Sequence, residues 1–215
     1  MTLQLTGKGL VLRSNLDTLR DRFAANHCVV LEKLLEPALL ETVRLQIEQA
    51  SWRSSAYDAG TEYTLDAPVT VRLLLFLLNS PEFLNAIRIV TGCAQISDFG
   101  GRVYRLAAGP QHQLSWHTDL NDPTRRVGFS MNLSTDVFHG GAFELRDRWT
   151  QASLAQVNNT GFGDALLFRI SNDLQHRVTE VADTVAKTAC AGWFRARGVS
   201  FFAELVGQST SQAQQ

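Results

Sequence analysis

The sequence is poor in lysine. Only Lys8, Lys33 and Lys187 occur among twenty basic residues, and twenty-one acidic residues leave a formal net charge of -1. No basic field is present to draw phosphates, so no nucleic-acid partner is expected. Cysteine is equally scarce. Cys28, Cys93 and Cys190 are an odd number at spacings that fit neither a disulfide framework nor a zinc ribbon, and buried free thiols are the expectation. The longest apolar run, "VRLLLFLLNS", is interrupted by Arg72 and stops at Asn79, far short of the roughly 20 residues that cross a bilayer. No membrane segment is expected. The opening "MTLQLTGKGLVLRS" lacks the charged start, apolar stretch and small-residue cleavage site of a secretory signal, so the cytoplasm is the expected compartment.

What remains is an ordinary globular composition: 215 residues, 45% hydrophobic and 19% charged, enough for one domain with a sizeable core. The first 95 residues read as helical support, with a short strand at "HCVVLEKLL". "EPALLETVRLQIEQA" sets Leu39, Leu40, Val43 and Ile47 on one helical stripe behind Pro37. "APVTVRLLLFLLN" is long enough for a buried helix. Ser80, Pro81 and Gly92 bracket another as N-cap, first turn and stop. From Ile96 the pattern changes to short apolar runs separated by Gly, Asn and Asp. Eight candidate strands follow: "GRVYRLA", "QLSWHTD", "RRVGFSMNLS", "GAFELRD", "SLAQVN", "DALLFRI", "QHRVTEVA" and "AKTACAGWFRA". The expected fold is α+β, with an antiparallel jelly roll over residues 96–206 buttressed by the N-terminal helices, all in a single domain 1–206. Residues 207–215 are polar and read as a flexible tail.

Chemistry concentrates in "SWHTDL". Alternation along a strand puts His117 and Asp119 on one side and Trp116 and Thr118 on the other. In isolation this could be a polar strand face in water. His176, in another apparent strand, supplies the third member of a two-histidine, one-carboxylate set, the donor pattern that holds Fe(II) through one face and leaves positions open for substrate and oxygen. His27 reads as a packed or surface residue, and His112 and His139 as solvated loop residues. In "VAKTACAGWF", Val185, Lys187, Ala189, Ala191 and Trp193 share one strand face. A lysine on an inward face needs an anionic partner or pays a desolvation cost. A small dicarboxylate bound to the metal at one end would supply that anion at the other.

At this point the chain resembles the Fe(II)- and 2-oxoglutarate-dependent dioxygenases, particularly the prolyl hydroxylase-like branch, over about Val103 to Arg195. The resemblance joins "YRLAAGPQHQLSWHTD", "SMNLS" with "GGAFELRD", "GDALLFR", and "LQHRVTEV" leading to "KTACAGWF". It implies a double-stranded β-helix of the cupin-like kind, with iron on His117, Asp119 and His176. It further implies Lys187 and Tyr104 on the distal carboxylate of 2-oxoglutarate, and Asn132 lining the cosubstrate pocket. Fe(II), 2-oxoglutarate and O2 would be required, with ascorbate in support. The implied reaction is hydroxylation of an unactivated C–H bond in a peptidyl, amino-acid-like or other small substrate, releasing succinate and CO2. Desaturation or ring closure can run on the same site. A carboxylate at Asp119 leaves no ligand position for chloride, which argues against halogenation.

Three departures accompany the resemblance. The turn "VADTVAK" lacks a glycine and is one residue longer than usual, lysine stands where arginine is commoner, and the loop from Tyr104 to His117 is long. The competing readings are a jelly-roll binding module, a zinc hydrolase on the same ligands, and a nucleic-acid demethylase disfavoured by charge. Segments expected at the mouth are 54–66, "LNDPTRRV", and the arginines Arg146, Arg148, Arg195 and Arg197.

Overall fold

The computed structural model describes residues 3–57, 60–182 and 184–196. A hairpin of β1 (Leu3–Thr6) and β2 (Gly9–Leu12) leads to α1 (Asp17–Asn26), β3 (Cys28–Leu31) and α2 (Pro37–Glu48). Then come β4 (Ser51–Tyr57), β5 (Gly60–Asp66), α3 (Pro68–Leu78) and α4 (Pro81–Thr91). Helices α2, α3 and α4 each open on a proline, whose missing N–H costs nothing in the first turn. Gly92 ends α4 in the left-handed region at φ 68°, where a glycine stop is favoured. Asn79, at the end of α3, ties the helices to the next strand by accepting from the Phe99 amide at 2.7 Å and donating to its carbonyl at 3.0 Å.

All eight strands read from the sequence form. They are β6 (Ile96–Leu106), β7 (Leu114–His117), β8 (Arg125–Asn132), β10 (Phe143–Asp147), β11 (Ser153–Val157), β12 (Ala165–Arg169), β13 (Leu174–Val178) and β15 (Lys187–Ala196). The short β9 (His139–Gly140) and β14 (Val181–Ala182) pair with each other. A seven-stranded sheet runs β3-β12-β8-β15-β6-β5-β4 and a four-stranded one runs β11-β10-β13-β7, with antiparallel pairing throughout. This is the double-stranded β-helix.

Period-two alternation divides the large sheet into two faces. On β15, Cys190 and Phe194 join the core beneath the helices, where Phe99 lies 4.9 Å from Phe194 and 5.3 Å from Phe129 between ring centroids. Ala189, Ala191 and Trp193 turn inward, toward Val178 and Phe143 of the small sheet. The core thus has a helix-covered layer outside the barrel and two apolar clusters within it.

The N-terminal part carries more strand than expected. The short strand expected at "HCVVLEKLL" forms as β3, but β4 and β5 also extend the large sheet, and β1 with β2 adds a hairpin. The segment 51–66 carries little apolar alternation to read: Leu65 and Trp52 reach the core, while Ser55, Glu62 and Thr64 line a cavity. Residues 197–206, Arg197 and the tail 207–215 lie outside the described residues.

Candidate active site

Antiparallel pairing of β7 with β13 sets His117 opposite His176, their ring centroids 4.2 Å apart. Strand β7 ends at His117, so alternation does not carry Asp119 inward as expected. Asp119 instead adopts φ 59°, a left-handed conformation that aspartate tolerates better than most residues, and this turn swings its carboxylate back beside the imidazoles. Trp116 faces outward as expected, with the Arg146 and Arg177 guanidinium groups 3.9 and 4.8 Å from its ring centroid. Thr118 does not: it lines the cavity, because the strand geometry that would turn it away has already ended.

One ligand atom from each of His117, Asp119 and His176 falls within 4.8 Å of the others. Asp119 Oδ1 is 3.7 Å from His117 Nε2, and Oδ2 is 3.2 Å from His176 Nε2. His117 Nδ1 donates to the Ser115 carbonyl at 2.6 Å, which commits its proton to that side and leaves Nε2 as a lone-pair donor. Burial pushes the His176 pKa down against the pull of Asp119 and so favours neutral imidazole. For Asp119 burial pushes upward, but the hydrogen bond and charge of His176, the Trp193 hydrogen bond and His117 prevail and hold it at about 2. The carboxylate is ionised, and the set has the protonation a metal requires.

The surroundings fix this set in place. Trp193 Nε1 donates to Asp119 Oδ2 at 2.7 Å. Arg125 stacks 3.5 Å over the Trp193 ring and approaches Asp119 Oδ1 at 3.5 Å. Phe168 and Phe143 pack on the His176 ring with centroids 4.5 and 5.9 Å away. A Cβ at Gly128 would overlap the Phe168 ring, so this glycine makes room for the ring that backs the ligand.

A cavity of about 720 Å³ runs from these residues past Tyr104 to Lys187. Lys187 is 2% exposed, and its amine donates to the Gly141 carbonyl at 2.6 Å. Burial pulls its pKa down to about 8, and among the described residues no carboxylate offsets that cost. Tyr104 is buried, which, with Glu62 adding to the shift, pushes its phenol up to about 12 against Arg102 and a hydrogen bond with Ser130. It stays a proton donor.

Other expectations need correction. Asn132 does not line the cavity; its amide donates to the Gly161 carbonyl at 3.1 Å and accepts from the Ser134 amide at 3.0 Å, which closes the turn after β8. His112 is not solvated but buried in a short turn, Pro110–His112, and stacked on Tyr63 at 5.5 Å. His27 caps α1 at φ 58°, and His139 is exposed. Arg146 bonds Gln175 behind Trp116, Arg148 lies over the exposed Trp149, and Arg195 pairs with Asp98; none of the three lines the cavity. Both segments expected at the mouth line the cavity, through Ser55, Glu62 and Thr64 and through Leu120, Asn121 and Arg125, but sequence reasoning did not foresee the ion pair of buried Glu62 with half-buried Arg102, nor Arg125 and Trp193 at the carboxylate. Neither pair is close in sequence, so no local pattern announces it.

Residues 101–195 match the family model of the 2OG-Fe(II) oxygenase superfamily. Over that segment, which carries His117, Asp119, His176 and Lys187, the chain is similar to that superfamily. No curated protein sequence matches the chain. Its fold is similar to that of a 2OG-Fe(II) oxygenase family oxidoreductase from Burkholderia pseudomallei, at TM-score 0.66 and 13% identity over 89% of this chain and 95% of that one. A Pseudomonas putida prolyl-4-hydroxylase gives TM-score 0.64 at 15% identity, covering 85% and 99%. A Trichoplax adhaerens prolyl hydroxylase in complex with a hypoxia inducible factor oxygen degradation domain peptide fragment gives 0.65 at 13%, covering 84% and 89%. That family model implies Fe(II), 2-oxoglutarate and O2. The chain's residues fit both groups: two imidazoles and an ionised carboxylate for the metal, and an uncompensated buried ammonium at the far end of the cavity for a dicarboxylate.

Proposed function

We propose that this oxygenase hydroxylates an unactivated C–H bond of an amino-acid-like, peptidyl or other small substrate. One observation carries the reading: a metal-competent donor set and a buried, uncompensated lysine stand at opposite ends of one cavity. Fe(II), when bound, supplies the redox chemistry by which O2 and 2-oxoglutarate yield succinate and CO2, one oxygen atom entering succinate and the other the substrate. His117 Nε2, the Asp119 carboxylate and His176 Nε2 would hold the metal. Lys187 would donate to the distal carboxylate of 2-oxoglutarate, and the protonated Tyr104 phenol would donate beside it. Together they set the distance and angle at which the keto acid reaches the metal. The apolar walls, including Leu114, Phe129 and Val178, exclude water from the reacting end. Trp193 and Arg125 hold the ligand carboxylate in one orientation.

The test is direct. Protein supplied with Fe(II) and ascorbate should release succinate from 2-oxoglutarate in an oxygen-dependent way and bind 2-oxoglutarate saturably; failure of both would remove the reading. His176→Ala should lose metal binding, and full metal affinity in that variant would take His176 out of the ligand set.

A further inference from the structure

The wall between Tyr104 and the metal end carries Arg102 and Glu62. Their side chains form a two-point ion pair, Nε to Oε1 and Nη2 to Oε2, the second at 2.8 Å. Glu62 is 1% exposed, yet both residues line the cavity. The Arg102 guanidinium sits 5.6 Å from the Tyr104 ring centroid and 5.8 Å from that of Trp193, between the cosubstrate end and the metal end. Ala191 stands opposite Arg102 on β15 and leaves the space before it open. Arg102 keeps 31% of its side chain exposed, but burying the Glu62 carboxylate beside it costs about as much as their attraction returns, and apolar residues would join β5 to β6 as well. The pair's presence on a cavity wall therefore calls for a use other than stability.

We infer that Arg102 and Glu62 form the substrate-anchoring site, and that the substrate is a free α-amino acid. A guanidinium and a carboxylate side by side match a ligand that carries a carboxylate and an ammonium on one carbon. The substrate carboxylate takes Arg102 and its ammonium takes Glu62, so the four charges alternate. Ser55 and Thr64, 3.3 Å apart on the same hairpin, add hydroxyls to this wall. The hairpin is fixed across the mouth: Tyr63 stacks on His112, and Gly60 packs so closely on the Gln113 carbonyl that a Cβ would overlap it. That closed side suits a compact zwitterion better than an extended chain. An N-acetyl or C-amide form lacks one of the two charges and an internal peptide residue lacks both, so each would match the charge pattern of the wall only in part or not at all.

This inference rests on the oxygenase reading, and the experiment separates the two. The twenty common free amino acids, their N-acetyl and C-amide forms, and short internal-sequence peptides are incubated with Fe(II)-loaded protein, 2-oxoglutarate and O2. Succinate release and a mass gain of one oxygen atom are followed. At least one free amino acid should raise succinate release several-fold over the substrate-free rate and gain the oxygen, while its blocked forms do neither. For that amino acid, Glu62→Gln and Arg102→Leu should each raise KM by at least about tenfold, the worth of a charge-assisted hydrogen bond, with the 2-oxoglutarate Kd nearly unchanged. Glu62→Gln keeps the side chain's size and tests the idea should Arg102→Leu fail to fold. Stimulation by blocked forms or peptides alone, or an unchanged KM in the glutamine variant, overturns the inference. So does a protein that binds 2-oxoglutarate and turns it over slowly alone but answers to no free amino acid. Absence of 2-oxoglutarate binding itself would instead sink the oxygenase reading, and the inference with it.

Discussion

Lys187 is the residue whose ionisation should govern cosubstrate binding. In the empty cavity its amine titrates at about 8 because burial penalises the charged form, and a bound carboxylate would raise that value. Binding above pH 8 therefore takes up a proton, whereas below it the amine is already charged. Affinity for 2-oxoglutarate, measured by titration with Mn(II) in place of iron, should be flat below about pH 8 and fall by about tenfold per unit above it. Lys187→Met should bind at least roughly 30-fold more weakly and lose this dependence. A lysine that keeps its slope after substitution of the 2-oxoglutarate distal carboxylate by an amide would not be the partner. Trp193 acts differently, by holding Asp119 Oδ2 at 2.7 Å. Trp193→Phe keeps most of the packing and removes the donor, so metal affinity should drop by roughly 10- to 100-fold; unchanged Mn(II) affinity would show that Arg125 suffices.

Secondary-structure elements make the site at two unlike places. Strand β13 sets His176 opposite His117 of β7, with an irregularity in the pairing between His176 and Val178, and a second histidine in an apparent strand made that legible. Strand β7 stops two residues short of Asp119, and the positive φ there completes the set. Asp119 meets the two histidines for a reason its strand pattern did not contain, and the Thr118 orientation failed on the same point. On β8, Gly128 admits the Phe168 ring that backs His176. Gly128→Ala should overpack this contact, cost about 1–3 kcal/mol of stability, and weaken metal binding. Circular dichroism melting and Mn(II) titration check the two parts; loss of stability with full metal affinity would mean that Phe168 does not position the ligand. The β4–β5 hairpin was invisible as strand because only Leu65 and Trp52 reach the core, while Ser55, Glu62 and Thr64 answer to a cavity.

At the scale of the whole molecule, 2-oxoglutarate would span the two sheets, held by Lys187 of the large one and by the metal on the histidines of the small one. Ligand that binds only the folded state stabilises it by about 2.7 kcal/mol at a hundred times its Kd, a rise in Tm of roughly 5–10 °C for a chain of this size. Mn(II) with 2-oxoglutarate should raise the Tm, measured by scanning fluorimetry, by that amount over Mn(II) alone, and Lys187→Met should abolish the increment. Equal shifts in both proteins would place the cosubstrate elsewhere. The sequence by itself determined the eight core strands, the two histidines and aspartate of the metal set, and the inward face of Lys187. The strands, the two histidines and Lys187 follow from period-two alternation, a local property of the chain, whereas the Asp119 carboxylate joins the set only through its left-handed turn. Only the tertiary structure decided which side chains meet across strands: Glu62 with Arg102, Trp193 and Arg125 with Asp119, and Asn132 away from the cavity. Those contacts join residues 40, 74, 6 and 29 positions apart, most of them through sheet order and through a left-handed turn that no spacing encodes.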